Sequence, residues 1–392
     1  MDFRLTEEQI MVQRMVRDFA RNEVKPLSVE LDAKLNPKEC ISWDLVKKAS
    51  QLGLRTLPIP VEYGGGGITD FLTQVIVMEE LGAADLGFAS VFRSQISLAD
   101  MMVKLCNKEQ LDEFLPKLIE DDTYLLAAGM TEPNHGTDAN IPYDAPGSGI
   151  ETSAVRKDDK YVINGTKHFI SNGGVAKLYF IYARTNKALP VTQSLSLFMV
   201  PADSPGFCIG SFHDKLGRRL LMNAELVFED MHIPTRYLVG TENNAWMERK
   251  GTGPAGLLHC ATILGTLRTC YEDAVDYAAN RIQGGKAIIE HPTVAAKLGD
   301  MRVKIEAVRK LIWWDCWRWD TKSAYDPKLN WLIKAFTDEV TTDVLLKTVD
   351  IFGGMGTDKS LPIQKYLRDG IESLHGFGTG EMNLIKGAPS LQ

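Results

Sequence analysis

Apolar residues recur at helical spacing towards both ends of the chain and at strand spacing in its middle, so the pattern predicts three sections. Near the start, Ile10, Val12, Met15, Val16 and Phe19 follow roughly helical spacing, and Thr6 with Gln9 three residues on makes a capping-box start. Residues 60–67 end in four consecutive glycines and must turn, since such a run cannot hold a helix. Helical spacing resumes over 71–81 and again over 97–118. From about residue 123 the period changes. Tyr161, Val162 and Ile163 run into Asn164-Gly165, which reads as a strand and then a turn. Residues 178–183 and 195–200 read as further strands, with Pro205-Gly206 as another turn. Later, Leu298, Met301, Ile305, Val308 and Ile312 return to helical steps, as do Leu332, Phe336, Val340, Val344 and Leu345. The expected fold is α+β: an N-terminal helical domain over 1–122, a central antiparallel β sandwich or barrel over 123–240, and a C-terminal four-helix bundle over 241–392. Trp313, Trp314, Trp317 and Trp319 read as packing or subunit interface.

Composition narrows the class. With 392 residues, 44% hydrophobic and 24% charged, the chain has the make-up of a soluble globular protein. A net charge of -7 argues against nucleic acid as a partner, because phosphate backbones want a basic face. The six cysteines show no CxxC and no regular spacing, which reads as free thiols of a reducing compartment. No signal-peptide pattern opens the sequence, and no apolar run approaches the roughly 18 residues a membrane span needs. The expectation is a cytoplasmic protein without a membrane span.

Chemistry enters at the joints between the sections. Residues 130–138, Met-Thr-Glu-Pro-Asn-His-Gly-Thr-Asp, resemble the "TEPxAGSD" segment of acyl-CoA dehydrogenases, and 167–174, Lys-His-Phe-Ile-Ser-Asn-Gly-Gly, resemble their "KxWITNGG" segment. Lys215-Leu216-Gly217, Arg281-Ile282-Gln283-Gly284-Gly285, the run 351–356 and Arg368-Asp369 follow in that family's order. The resemblance implies FAD. It places Thr131 at the pyrimidine edge of the flavin, Phe169 against the ring in place of a tryptophan, and Ser171 near N5, with Met130 as a further FAD contact. Gly136 and Thr137 would face phosphate. Such a ring needs an apolar wall with short polar groups opposite one edge, which these residue types supply. Arg281, Asp350, Gly353 and Gly354 would hold the adenine half across a dimer, with Thr379 and Glu381 as further FAD contacts. Two departures stand out: Gly284 where the family has an aromatic, and Asp350 where it has glutamine. The resemblance also implies an acyl-CoA substrate, an acceptor like electron-transfer flavoprotein, and a homodimer or homotetramer, with a heteromer open.

The family's catalytic glutamate is missing. Removing the weakly acidic proton α to a thioester needs a positioned base, yet the two family positions for it carry Phe377 and Ala255, with Gly256 in place of an arginine. His259 lies one helical turn after Ala255, as either a structural residue or a stand-in base. Glu242 and Glu248 read as solvated loop residues. Arg93, on the helix that lines the family's acyl pocket, is either a clamp for a distal carboxylate or carbonyl or an ion-pair partner of an acid such as Glu80 or Asp100. Glutaryl-CoA dehydrogenases carry a carboxylate-binding arginine about one turn earlier on that helix. Three functions are therefore open: a dehydrogenase acting on a cyclic, branched, aromatic or carboxylate-bearing acyl group, a redox-neutral lyase needing no base, or a non-catalytic subunit of a heteromeric dehydrogenase.

Overall fold

The computed structural model describes residues 4–136, 138, 148–323 and 325–388. The chain opens with helices α1 (Glu7–Phe19), α2 (Lys25–Asp32), α3 (Trp43–Gln51), α4 (Phe71–Ala84), α5 (Leu86–Leu105) and α6 (Lys108–Glu120). The expected capping box starts α1: the Thr6 hydroxyl accepts from the Gln9 amide, and the Gln9 side chain accepts from the Thr6 amide. The helix expected from residue 97 begins at Leu86 instead, because Asp85 caps it by accepting from the Phe88 amide at 2.7 Å. Its first turns are buried on every side, and a helix surrounded by core shows no apolar stripe to read.

Strands β1 (Leu126–Gly129), β2 (Ser153–Lys157), β3 (Lys160–Ser171), β4 (Leu178–Arg184), β5 (Leu195–Pro201), β6 (Phe207–Phe212), β7 (Asn223–Pro234) and β8 (Leu238–Val239) form one sheet. Its order is β6-β7-β3-β2-β4-β5-β8, with β1 lying against β4. The two halves meet at the single β2–β4 pair, Ser153 opposite Arg184, and face one another. Tyr161 on β3 meets Phe198 on β5 at 4.9 Å, and Tyr179 on β4 meets Phe207 on β6 at 4.8 Å. The sandwich expectation holds with one correction: β1–β4 and β2–β4 are parallel, not antiparallel. Asn164-Gly165 is corrected as well. β3 runs straight through it, and Gly165, at φ +145°, sits in a bulge where a Cβ would meet Thr152.

Helix α7 (Ala245–Glu248) leads into α8 (Ala255–Asn280), the hairpin β9 (Ile282–Gln283) and β10 (Lys286–Ala287), then α9 (Pro292–Asp320), α10 (Pro327–Phe352), α11 (Ile363–Ser373) and α12 (Gly380–Gly387). Leu81 of α4 shares a core with Leu264 and Leu267 of α8, so the helices at the two ends of the chain pack as one body. A Cβ at Gly82 or Gly265 would strike the opposite helix's backbone, which shows how closely α4 and α8 approach. The sandwich has its own core, joined by Phe114 and Leu115 of α6 and by Trp246. Asn172, at the end of β3, fastens the two bodies: its amide donates to Leu126 O at 3.1 Å and to Val91 O of α5 at 3.4 Å. No helix among the described residues is long and apolar enough to cross a membrane.

Candidate active site

The segments after β1 and along β3 lie side by side, since the His168 amide donates to Thr131 O at 2.8 Å. Lys167 clips them from beneath, donating to Glu132 Oε1 at 2.8 Å and Met130 O at 3.2 Å. Glu132 in turn accepts from the Glu151 and Thr152 amides. Burial pulls the Lys167 ammonium down to about 8 against the attraction of Glu132. Met130, Thr131, Phe169 and Ser171 are therefore brought together. Phe169 is 54% exposed and sits at φ +55° beside a register shift in β3. Two bonds hold that unfavourable backbone: its amide donates to His213 Nε2 at 3.3 Å, and its carbonyl accepts from Asn223 Nδ2 at 2.8 Å. Its ring stacks on His213 at 4.2 Å, so a flat apolar wall is built on a strained residue. Gly136 follows with space around its α-carbon, whereas Thr137 lies outside the described residues.

In the helical body, the Phe377 ring is flanked by Arg93, whose guanidinium carbon is 4.9 Å from the ring centroid, and by His259 at 5.4 Å. Arg93 is buried; Nη2 donates to Ser94 Oγ at 2.7 Å, and Nε has no partner. The ion-pair alternative fails. Glu80 is taken by Arg17 and Arg268, Asp100 by Lys104, and Arg93 makes no ion pair among the described residues. Burial, then the charge of Arg218, hold its guanidinium down to about 9. Ser97 Oγ, one turn along α5, is likewise buried and unpartnered. His259 Nε2 lies 3.1 Å from Ser373 O. A carbonyl only accepts, so Nε2 carries the hydrogen and Nδ1 is a bare lone pair, buried without a partner. Burial, with the charges of Lys334, Arg218 and Arg93, keeps the ring neutral. Gly376 makes room for it, since a Cβ there would come within 2.8 Å of Nε2.

Phe377 itself is at φ +61°, and Asn383 Nδ2 secures the turn by donating to Phe377 O and Gly378 O. Thr379 caps α12, and Glu381 is exposed in its first turn. Ala255 opens α8, and Gly256 packs against Asn330. The expectation that Glu242 and Glu248 are solvated is corrected: Glu242 accepts from the Tyr161 hydroxyl, and Glu248 from the Thr241 amide and Asn244. Both brace the turn into α7.

The remaining predicted residues gather elsewhere. Arg281 caps the far end of α8, 22 residues beyond His259 and hence about 33 Å away along the axis. Gly284 and Gly285, at φ +63° and +82°, make the two-residue turn of the β9–β10 hairpin, so the turn dictates glycine at 284. Asp350 pairs with Lys297 at 2.7 Å, which neutralises the carboxylate beside the exposed, open-sided Gly353 and Gly354.

Family models match almost the whole chain: acyl-CoA dehydrogenase N-terminal domain over 6–122, middle domain over 127–231 and C-terminal domain over 251–390. The chain belongs to the acyl-CoA dehydrogenase family. The short-chain-specific acyl-CoA dehydrogenase of Clostridium acetobutylicum is 35% identical, over 98% of both chains. Butyryl-CoA dehydrogenase from Megasphaera elsdenii superposes with a TM-score of 0.91 at 30% identity, covering 99% of this chain and 98% of that one. A chain from the structural study of the electron transferring flavoprotein of Acidaminococcus fermentans superposes at 0.90 with 31% identity, covering 99% and 98%.

Acyl-CoA dehydrogenases use FAD, and the residues here fit it. The strained, exposed Phe169 offers a ring face, and Thr131 and Ser171 offer short polar groups along one edge. Sequence reasoning missed Asn172, His213 and Arg218. Asn172 and His213 act through backbone contacts, and Arg218 through a part-buried ion pair with Glu372. None of these leaves a periodic signal. Gly376 was legible in principle, because a glycine directly before Phe377 implies a close neighbour.

Proposed function

We propose that this acyl-CoA dehydrogenase acts on the α,β-carbons of a CoA thioester whose acyl group ends in a carboxylate, with Arg93 as the clamp. The observation that carries this reading is a buried guanidinium with an unpartnered Nε and no counter-charge among the described residues, beside the position of the family's glutamate. Leaving a buried charge uncompensated costs several kcal/mol, and a substrate carboxylate removes that cost on binding. Ser97 Oγ, on the same face of α5, supplies a second donor. Bound FAD supplies the hydride acceptor at the Phe169 wall. His259 presents a neutral ring with a bare Nδ1 next to Phe377, which makes it the stand-in proton acceptor. Its depressed basicity makes proton removal slow unless the substrate's α-proton is unusually acidic. Arg281 lies too far along α8 for the same cofactor, so it would serve, with Asp350, Gly353 and Gly354, the FAD of a second copy. The likeness to the Acidaminococcus chain supports an acceptor of the electron-transferring-flavoprotein kind.

A second reading draws on the apolar Phe377 and Ala255 at the base positions. If the substrate carboxylate itself departs as CO₂, the electron pair of the breaking C–C bond stays on the carbon it leaves, which takes up a proton from water, and no base is needed. Anaerobic mixing with a panel of acyl-CoAs, read by flavin absorbance and CO₂ release, separates the cases. Bleaching by carboxylate-ended thioesters, but not by plain ones of equal length, supports the clamp. Equal bleaching by both rejects it, and CO₂ without bleaching selects the lyase. Arg93→Gln should raise KM for the carboxylate-ended substrate by about 100-fold and leave plain thioesters unchanged. Phe377→Glu should raise turnover of plain acyl-CoAs by roughly 10²–10⁴-fold, the usual contribution of a positioned base.

A further inference from the structure

We propose that His213 is a positioning residue for FAD: its neutral ring holds Phe169 in the pose that meets the flavin, and a proton on Nε2 releases it. Three hydrogen bonds close a loop of residues here. The Phe169 amide donates to His213 Nε2 at 3.3 Å, the His213 amide to Asn223 O at 3.0 Å, and Asn223 Nδ2 to Phe169 O at 2.8 Å. This clasp joins β3, the segment that follows β6, and the start of β7. It closes on a backbone at φ +55°, which an aromatic residue adopts only when its surroundings impose it. The β3–β7 ladder does not impose it, because the register breaks between Lys167 and Ile170 and leaves Phe169 unpaired there. The ring is set by the same neighbours. Phe169 stacks on His213 with 23° between the planes, and His168 meets both rings edge-on at 4.5 Å. More than half of Phe169 stays exposed, which leaves a face for the flavin.

A backbone amide only donates, so Nε2 must accept, and His213 is neutral with its hydrogen on Nδ1. A proton on Nε2 would set two donors face to face and cut the clasp at Phe169. The titratable and charged groups facing His213 are His168 on β3, Glu225 on β7, and Lys215 further along its own segment. Burial, then the charge of His168, hold its basicity below the ordinary 6.5, with Glu225 opposing and Lys215 adding. The clasp is therefore whole above 6.5 and is lost as pH falls through the lowered value. An unclasped Phe169 must be ordered again before a flavin can pack on it. Affinity then drops with the fraction of molecules that keep the competent pose.

This inference rests on Phe169 as the flavin wall and is independent of the acyl group, so its readouts are FAD retention and backbone exchange. FAD dissociation from the loaded protein, followed by the fluorescence of released flavin, would be measured from about pH 8 to about pH 5. His213→Phe keeps a flat ring beside Phe169 but accepts nothing. At about pH 8 it should weaken FAD about fivefold, the worth of one hydrogen bond, and speed hydrogen exchange at the Phe169 amide. His213→Gln, whose amide oxygen can accept in place of Nε2 and does not titrate, should match the wild type. As pH falls, the wild type should weaken by up to about fivefold and His213→Gln by less. A His213→Phe protein that keeps wild-type affinity overturns the proposal, and so do wild-type and His213→Gln profiles that coincide. Should His213→Phe fail to fold, those two profiles decide alone. Phe169→Leu tests the wall separately. FAD lost there but unchanged in His213→Phe keeps the wall and rejects the clasp, whereas unchanged affinity in Phe169→Leu rejects both.

Discussion

Where α4, α8 and α9 cross, the part-buried Arg268 and Arg309 each meet a carboxylate. Arg268 pairs with Glu79 at 2.9 Å and Glu80 at 2.6 Å, and Arg309 reaches Glu79 at 2.8 Å. Lys365 is held likewise between Asp85 and Asp369, at 2.6 Å from each. Beside Phe377, Arg93 is buried too and meets no acid among the described residues. The field shows the contrast: Asp369 and Asp85 hold the Lys365 ammonium above its ordinary range despite burial, whereas burial and Arg218 drive Arg93 down to about 9. The first arrangement pins helices to one another. The second leaves a charge that the proposed substrate carboxylate would meet.

Breaking the paired set should have the largest effect. Lys365→Met would leave Asp85 and Asp369 facing each other, both essentially inaccessible to solvent. Removing one partner of such a group costs about 3–5 kcal/mol, which chemical denaturation would show as a lower midpoint. Arg93→Met should move the other way. With no carboxylate to orphan, replacing the charge by an apolar chain of similar length should stabilise the ligand-free protein by about 2–4 kcal/mol. The same variant should lose its preference for carboxylate-ended thioesters. A drop in stability like that of Lys365→Met would show that Arg93 is compensated after all, and the contrast would collapse.

How much of this was legible follows the same division. The three-section order came from periodicity, because helices such as α1 and α9 bury one apolar face. The start of α5 did not, since a helix buried all round has no face to show. Asn164-Gly165 has the composition of a turn, yet β3 crosses it as a bulge because the long partner β7 pairs with both sides. At the site, motif residues such as Thr131, Phe169 and Arg281 could be named from local sequence. Whether Arg93 had a partner could not, because its candidate acids lie on α4 and α5 and are engaged by Arg17, Arg268 and Lys104. Pairing between distant elements leaves no local pattern. The carboxylate at Asp350 illustrates this, being matched by Lys297 from another helix.

An anion supplies the smallest and sharpest test. Asp315 on α9 is fully buried with neither oxygen hydrogen-bonded, and its nearest counter-charge, Arg318 Nη1, is 3.6 Å away. Burial raises its carboxyl to about 6 from the ordinary 3.8, with Arg318 opposing and Asp326 adding. A carboxyl raised on folding favours the folded state while protonated. Its contribution is therefore full below about 4, falls away as pH climbs to about 6, and is absent at higher pH, where the folded state bears an ill-paired charge. Asp315→Asn removes that charge and should stabilise the protein by about 2 kcal/mol at pH 8, with the gain fading towards pH 4. Thermal melts of both proteins across that range would measure it. A gain independent of pH would mean that packing, not charge, governs Asp315. A loss at pH 8 would mean that the 3.6 Å approach of Arg318 already suffices, and that distance as well as pairing separates the two kinds of buried charge.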